Sequence, residues 1–528
     1  MTCSKLFSGD LPELLNEIIQ YLHDDYRSLH SCVLVNRTWC RLSIPLLWKN
    51  PFSVRDPKNR CYIEVYLSTL IEDYKKTLYQ LLNRSDLFPS NTLFNYPSFI
   101  RSLNTYKIIH SIKGWCNDIT NSSFYQPGSH LTKMILWSLF LIFIESGTKK
   151  LHSLEFSTFE FAADGYYDGI YELILHNPNF IRNIKDFKFE LVKETNYLTR
   201  FLNCLCSNHN SISSLKLRFN SPCDDVYTLS RLFKSQKNLR KISLGPGIPL
   251  NHSLLFLKNS NCSNTLNTIS FCGIDFKNIS ILSEAFNQLN VLESIHIIFC
   301  HSLDSKLNQQ IKNITKPFKL RTLFLNELLE YEKFLIKKSG NYLENIGILN
   351  NYPRRLLEYV LKYCKNIKFV GRIVRLEEKS IDTLFNLIKN FSHTLNYLQL
   401  ESRFSSMILQ NLGQILPRRM KYFYLSLKYI EIRDLKVFFK NSQDIHFKKL
   451  SINNAKDEEC RDIFPCIKKH IIKMKRVEFF SFSEHHRELI DLFDQKDEVK
   501  EFEQHGIRVL NHNCLYLTIF EYLDDDIE

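Results

Sequence analysis

The sequence predicts an α/β chain in which a small all-helical N-terminal unit precedes a long strand–helix solenoid. Three observations predict it. A six-residue frame, apolar-x-x-apolar-x-apolar, recurs thirteen times from Leu151 onward. The stretches between frames carry apolar residues at helical spacing, so each copy reads as strand, turn and helix. The first fifty residues follow the helical period instead and lack the frame. We therefore expect residues 1–50 to form a helical unit, 51–130 a helical connector, and 131–528 the solenoid with a C-terminal cap.

In the N-terminal stretch, Leu11, Leu14, Leu15, Ile18, Ile19 and Leu22 fall at i, i+3, i+4, i+7, i+8 and i+11, one apolar stripe on a helix. Pro12 suits a first helical turn, where its missing N–H costs nothing, and Glu13 suits the positive helix end. His23-Asp24-Asp25 breaks the pattern. A second helical run places Leu29, Cys32, Val33 and Asn36 on one side, followed by Trp39 and Leu42. Pro45 interrupts it, and Leu46-Leu47-Trp48 closes the unit. About forty residues seldom bury enough apolar surface to stand alone. This stretch carries more apolar faces than three short helices can hide among themselves, which calls for a partner surface.

The residues Leu11-Pro12, Ile18, Leu22, Leu34-Val35-Asn36-Arg37, Trp39 and Pro45-Leu46-Leu47-Trp48 together resemble an F-box. Asn36 stands where many F-boxes carry Cys. The resemblance implies docking on a Skp-family adaptor and, through it, on a cullin. Leu11, Pro12, Leu14, Leu15, Ile18, Leu22, Val35, Trp39 and Trp48 would form the adaptor face or the small core beneath it.

Tyr62–Leu82 keeps helical spacing through Ile63, Leu67, Leu70, Ile71, Tyr74, Leu78, Leu81 and Leu82 and predicts one long helix. Asn121–Ser129 reads as a loop with Pro127-Gly128 as its turn. Met134–Ile144 is strongly apolar but only eleven residues long, bounded by Lys133 and Glu145. A membrane span needs roughly twenty residues, so a buried core helix is expected and no membrane association.

The frames are Leu151, Leu154, Phe156; Ile184, Phe187, Phe189; Ile212, Leu215, Leu217; Leu239, Ile242, Leu244; Leu266, Ile269, Phe271; and Leu292, Ile295, Ile297. They continue as Leu320, Leu323, Leu325; Leu343, Ile346, Ile348; Ile367, Val370 with Arg372 in a degraded third slot; and Leu395, Leu398, Leu400. Met420, Phe423, Leu425; Phe447, Leu450, Ile452; and Met474, Val477, Phe479 complete the set. From Ile184 onward the repeat length runs from 23 residues (Leu320 to Leu343) to 28 (Ile184 to Ile212). This fits the roughly 20–29-residue period of leucine-rich repeats, which the body resembles. That resemblance implies parallel strands on a concave face and helices on the convex one. Past the last frame, Arg487–Asp494 predicts a helix, Ile507–Leu510 a last strand, and Leu515–Phe520 part of a terminal cap.

Strand side chains alternate, so the residue between the last two apolar positions points away from the core. That row reads Glu155, Lys188, Lys216, Ser243, Ser270, His296, Phe324, Gly347, Gly371, Gln399, Tyr424, Ser451 and Glu478. Its aromatics are expected to be exposed, which makes His296, Phe324, Tyr422 and Tyr424 candidate anchors for a target protein. The row is mixed rather than basic. The net charge of +13 is scattered, with no run of five Lys and Arg and with Asp524-Asp525-Asp526 at the C-terminus, which argues against a nucleic-acid groove.

No catalytic chemistry is expected. The sequence has no Gly-rich phosphate loop, no GxSxG and no HExxH. Cys204-x-Cys206 with His209 lacks a second ligand pair, and His485-His486 belongs to no catalytic motif, so neither a metal nor a cofactor is predicted. The N-terminus shows no secretory pattern and the 15 cysteines no even framework, so a cytoplasmic or nuclear chain with reduced thiols is expected. The two resemblances together imply a non-catalytic substrate-recognition subunit of a Skp–cullin–F-box ubiquitin ligase, with the repeats binding an unknown target protein. The alternatives are an F-box scaffold outside ubiquitin transfer and a repeat-based binder of nucleic acid or acidic surfaces, the latter suggested by the net charge.

Overall fold

The computed structural model describes residues 12–525 except 24, 54–59, 83, 85, 86, 90, 121–129, 147–150, 158–166, 192–195, 209, 210, 220–225, 259, 260, 327–331, 349–353, 374, 375, 456–462 and 486–488. The chain divides into two compact units. One is drawn from Met1–Asn267 and Gln288–Val291, the other from Thr268–Asn287 and Leu292–Glu528. The expected turn at 121–129, along with Leu11 and His486, lies outside the described residues.

The first unit opens with three helices, α1 (Pro12–Tyr21), α2 (Tyr26–Val33) and α3 (Arg37–Leu47). Two further short helices, Tyr62–Leu67 and Glu72–Leu82, replace the single long helix that the spacing predicts. The Ser68 and Thr69 hydroxyls donate back to the carbonyls of Val65 and Tyr66, a local bonding mode that competes with helix continuation. The apolar segment around Met134–Ile144 is a buried core helix, His130–Glu145, as expected. No described helix is long and apolar enough to cross a membrane.

Strands β1 (Ser102–Asn104), β2 (Ser153–Ser157), β3 (Asp186–Leu191), β4 (Ser214–Phe219) and β5 (Lys241–Leu244) of this unit pair in parallel and in chain order. β1 lies within the stretch expected to be a helical connector. Its Leu103 stands beside Leu154 of the first frame, so the sheet begins one strand earlier than the frame.

In the second unit, β6 (Thr268–Cys272), β7 (Ser294–Ile298), β8 (Leu320–Leu325), β9 (Asn345–Ile348), β10 (Phe369–Ile373), β11 (Tyr397–Ser402), β12 (Arg419–Leu427), β13 (His446–Ala455) and β14 (Val477–His485) also pair in parallel, each with the next. Helices Arg354–Tyr363, Ile381–Asn390, Ser405–Ile415 and Ile432–Asn441 lie between successive strands, in stretches between frames where helical spacing is expected. The parallel order follows from the repeat: a strand that returns through a helix arrives in the same direction.

Frame residues such as Leu323, Ile346, Leu398, Phe423 and Leu450 are fully buried. Each such burial contributes roughly 1.5–3 kcal/mol, and a repeat obtains it only from its neighbours.

Two frames differ from expectation. In β10 the register shifts after Val370, and Ile373 rather than Arg372 stands beside Leu400, fully buried. A bulge has admitted one extra residue, so the copy is intact. In β14, Val477 pairs with Phe447, Phe480 with Leu450, and Phe482 with Ile452. The core triplet is therefore Val477, Phe480, Phe482, displaced by three residues from Met474, Val477, Phe479. Ser481, not Glu478, takes the alternate position, beside Ser451.

The array ends differently from prediction too. Where a helix was expected at Arg487–Asp494, β15 (Leu489–Asp491) pairs antiparallel with β14 and a single 3₁₀ turn, Leu492–Asp494, follows. A helix at Lys496–Gln504, which the spacing did not signal, leads to β16 (Arg508–Val509), the last strand expected within Ile507–Leu510, parallel to β14. Together β15 and β16 cover part of the edge that β14 would otherwise present.

The corrected register makes a sharp prediction. Phe480 is fully buried, while Phe479 is half-buried under the Arg508 guanidinium, 5.6 Å from its ring centre. Phe480→Ala should cost about 3–5 kcal/mol and Phe479→Ala less than half that, read from urea unfolding. The reverse order would restore the original frame.

Candidate functional site

The three N-terminal helices form their own small core. Leu15 and Ile19 of α1, Leu29 and Cys32 of α2 and Trp39 of α3 are buried together, with Leu22, Leu42, Leu46 and Leu47 packed against them. Two side-chain caps set the helix starts. Asp25 accepts from the Ser28 amide and hydroxyl. The Asn36 side-chain oxygen accepts from the amides of Thr38 and Trp39 at 2.9 and 3.0 Å. The expected second run, unbroken from Leu29 to Leu42, is thus two helices divided at Leu34–Asn36. Pro45 does not interrupt: α3 continues through it to Leu47, forgoing the one bond its missing N–H would make to Arg41.

The apolar stripe of α1 splits into two rows about 100° apart on the helix. Leu15, Ile19 and Leu22 face the unit's core. Leu14, Ile18 and Tyr21, at i, i+4 and i+7, face outward, and Tyr21 is 87 % exposed. Leu34 and Val35 at the α2–α3 corner are exposed as well. Of the predicted adaptor residues, Leu14, Ile18 and Val35 therefore lie on the surface, and Leu15 and Trp39 in the core. Leu22 lies at the core's margin. Pro12 opens α1, and Leu11 lies outside the described residues. Tyr21 was missed, although its i+3 step from Ile18 was legible.

Trp48 has a different role. Its ring packs on Tyr96 and Tyr66, with centroids 4.1 and 5.3 Å away. The Lys49 carbonyl accepts from the Arg101 amide just before β1, and the Tyr26 hydroxyl donates to the Asn50 carbonyl. Trp48, half-buried, joins the helical unit to the start of the sheet.

The second candidate surface is the face of β7–β14 that alternates away from the frame residues. His296, Phe324, Tyr422 and Tyr424 all lie on it, but none is exposed: Phe324 is 3 % and Tyr424 8 % accessible. The residues covering Phe324, Tyr422 and Tyr424 belong to the C-terminal segment. Leu517, Ile519 and Tyr522 form one buried cluster with Ile298, Phe324, Phe369, Tyr422 and Tyr424, and Tyr516, Phe520 and Leu523 pack at its margin. The expected terminal cap at Leu515–Phe520 is instead a strap laid along this face.

The strap begins at β14. The Asp491 carboxylate accepts from the His512 amide at 2.8 Å, and the His512 ring lies 3.0 Å from the Ser483 hydroxyl. A short helix, His512–Leu515, follows. Tyr516 then meets Tyr424 edge-on at 5.3 Å. At Leu517 the face holds the main chain itself: the amide donates to the Tyr422 hydroxyl at 3.1 Å, and the Gln399 side-chain amide donates to the carbonyl. The terminal helix, Ile519–Asp525, starts in a capping box. Glu521 accepts from the Thr518 amide at 2.8 Å, and the Glu521 amide donates to the Thr518 hydroxyl at 3.2 Å. Tyr522 packs between Phe369 and Tyr397, 4.8 and 4.7 Å from their centroids, and Phe520 reaches Phe299.

The face is shaped for this layer. A Cβ on Gly347 would stand 2.4 Å from the Phe324 ring and 2.8 Å from the Gly371 carbonyl oxygen, so glycine leaves the room that this ring occupies. A register shift between β7 and β8 sets His296 beside Thr322, not Phe324. Its Nδ1 lies 2.8 Å from the Thr322 hydroxyl, which accepts from Asn345.

Among the described residues no three His, Cys, Asp or Glu side chains converge as metal ligands. Cys204 and Cys206 lie in the helix Asn196–Asn208, and His209 lies outside the described residues. Burial pushes the thiols of Cys300 and Cys364 up to about 12, which leaves them protonated and poorly nucleophilic. No protein-family model matches the chain, and no curated protein matches it.

Burial also pushes the Tyr424 phenol up to about 12, and Tyr422 upward likewise. The folded chain then holds a proton that the unfolded chain releases near pH 10. The stabilisation is complete below pH 10 and is lost as the pH rises through 12. In a spectrophotometric titration of the folded protein, Tyr424→Phe should remove one late-ionising tyrosine. Loss of a normally ionising one instead would place Tyr424 in water.

Proposed function

We propose that the chain is the substrate-recognition subunit of a Skp–cullin–F-box ubiquitin ligase. The observation that carries this reading is the outward apolar row Leu14, Ile18 and Tyr21, with Leu34 and Val35, on a helical unit whose core is already filled by other side chains. Solvated side chains of this size, gathered on one small element, are what a docking interface requires and what a self-contained cap does not. The F-box resemblance rests on the same segment. Asn36, its departure from the usual Cys, caps α3 and so is compatible with the same helical turn.

In this reading Leu14, Ile18 and Val35, joined by Tyr21 and Leu34, meet the Skp-family adaptor, and Leu15 and Trp39 hold the surface in shape. Trp48 transmits the placement to the sheet through Tyr66 and Tyr96. The repeats hold a target protein, and the contribution to ubiquitin transfer is proximity: the chain performs no bond chemistry and raises the local concentration of a target near a charged partner enzyme.

Full-length protein should bind a purified Skp-family adaptor. Leu14→Asp with Ile18→Asp should weaken that binding by roughly 100-fold or more, since two apolar burials of about 1.5–3 kcal/mol each are lost. Leu93→Asp, at a site 90 % exposed elsewhere in the first unit, should change nothing. If the unaltered chain ignores the adaptor at micromolar concentration, the reading is wrong. Leu15→Asp is unsuitable for this test, because Leu15 is fully buried and its loss would unfold the unit.

A further inference from the structure

We propose that the aromatic face of β7–β12 is a peptide-binding groove and that the chain's own C-terminal strap is its resident, displaceable ligand. The composition of the face is the first argument. The frame row on the other side of these strands is apolar throughout, as a permanent core must be. The strap side carries His296, Thr322, Asn345, Gln399 and Ser426 among its aromatics, all of them buried. That mixture is the pattern of a strand face that meets water on one side.

The second argument is the mode of contact. Gln399 and Tyr422, 5 % and 0 % accessible, aim their polar ends at both main-chain groups of Leu517. Burial obliges both groups to find partners, and here the partners are side chains of the face, not the main chain of a neighbouring strand. Holding the amide and carbonyl of one extended residue is how a groove grips a peptide without reading its side chain there, while flanking pockets read the neighbours. Here the pockets take Leu517, Ile519 and Tyr522, an apolar-x-apolar-x-x-aromatic pattern. Thr518 and Glu521 cap the seven-residue terminal helix within the strap itself, so none of those cap bonds is broken when the strap leaves the face.

The ligand class follows: a protein segment with an apolar-x-apolar-x-x-aromatic pattern and an acidic run after the aromatic, matching Tyr522 and Asp524-Asp525. The strap is tethered, so it competes at an effective concentration of about a millimolar. A free segment at ten micromolar therefore loses to it by about 100-fold unless the strap is weakened or the competitor binds more tightly. This extends the target-binding half of the reading above. Its test uses no adaptor, so failure of either leaves the other standing.

Two measurements on the full chain decide it. In native-state hydrogen exchange of the unaltered protein, the amides of Leu517 and Tyr522 should exchange at least ~100-fold faster than those of Phe423 and Leu425 in β12, through local opening of the strap. Exchange as slow as in β12 makes the strap part of the core and overturns the proposal. Second, a labelled peptide of residues 512–528 should bind the full-length Tyr522→Asp variant at micromolar concentration, and the unaltered chain at least ~100-fold more weakly. The same peptide carrying Leu517→Asp and Tyr522→Asp should bind neither. A folded variant that fails to bind the peptide, equal binding to both proteins, or loss of the variant's cooperative unfolding would each overturn the proposal.

Discussion

The structure depends on one constraint: a repeat of one strand and one helix cannot enclose its own apolar residues. Leu323, Ile346, Leu398, Phe423 and Leu450 are buried only because strands on either side present the same row in register. Each copy is thereby bound to the next, and the frame tolerates almost no polar intrusion. Where the chain gained a residue, in β10, it bulged and brought Ile373 into the row, leaving the apolar slot filled. The opposite face of the same strands is under no such obligation. Glycine, serine, asparagine and aromatic residues collect there, and any binding specificity must be written there.

What the sequence made legible follows from that division. The buried row repeats locally, so its period exposed nearly every strand and the helices between them. The reading failed where the signal was displaced or non-local. Phe479 and Phe480 stand side by side, and both satisfy an apolar slot, so the final frame could be set three residues too early without visible conflict. On α1 the residues at i+3 and i+4 form two rows, and one stripe could not reveal that Leu15 turns inward and Leu14 outward. The strap was beyond periodicity altogether. Gln399 meets Leu517 across 118 positions, and Leu517 meets Tyr422 across 95. Leu515–Phe520 could be read as part of a cap and Thr518-x-x-Glu521 has the form of a capping box, but neither says what the helix lies on.

The N-terminal unit shows the same distinction between residues that hold and residues that present. Asp25 and Asn36 fix two helix starts, and Leu15, Ile19, Leu29, Cys32 and Trp39 fill the space between. Trp48 is then committed to Tyr66 and Tyr96, which ties the unit to the chain that enters β1. The outward row has no such commitment. Leu14, Ile18 and Tyr21 present an apolar row that the unit's own core does not use.

The covered sheet face and the uncovered helix row can be weighed against each other by the same physics. Phe324, Phe369, Tyr397, Tyr422 and Tyr424 left open would form a large aromatic patch, a stronger aggregation hazard than one helix row. A cover is therefore needed whenever no partner is bound, and a tethered segment supplies it without depending on concentration. A cover of Leu and Ile alone would have sealed the face as core. Instead the strap leaves hydroxyls and amides beneath it, Tyr422 and Gln399 hold its main chain, and its own helix is capped from within. In the proposed exchange a competing segment replaces those same two main-chain bonds and the contacts of Leu517, Ile519 and Tyr522.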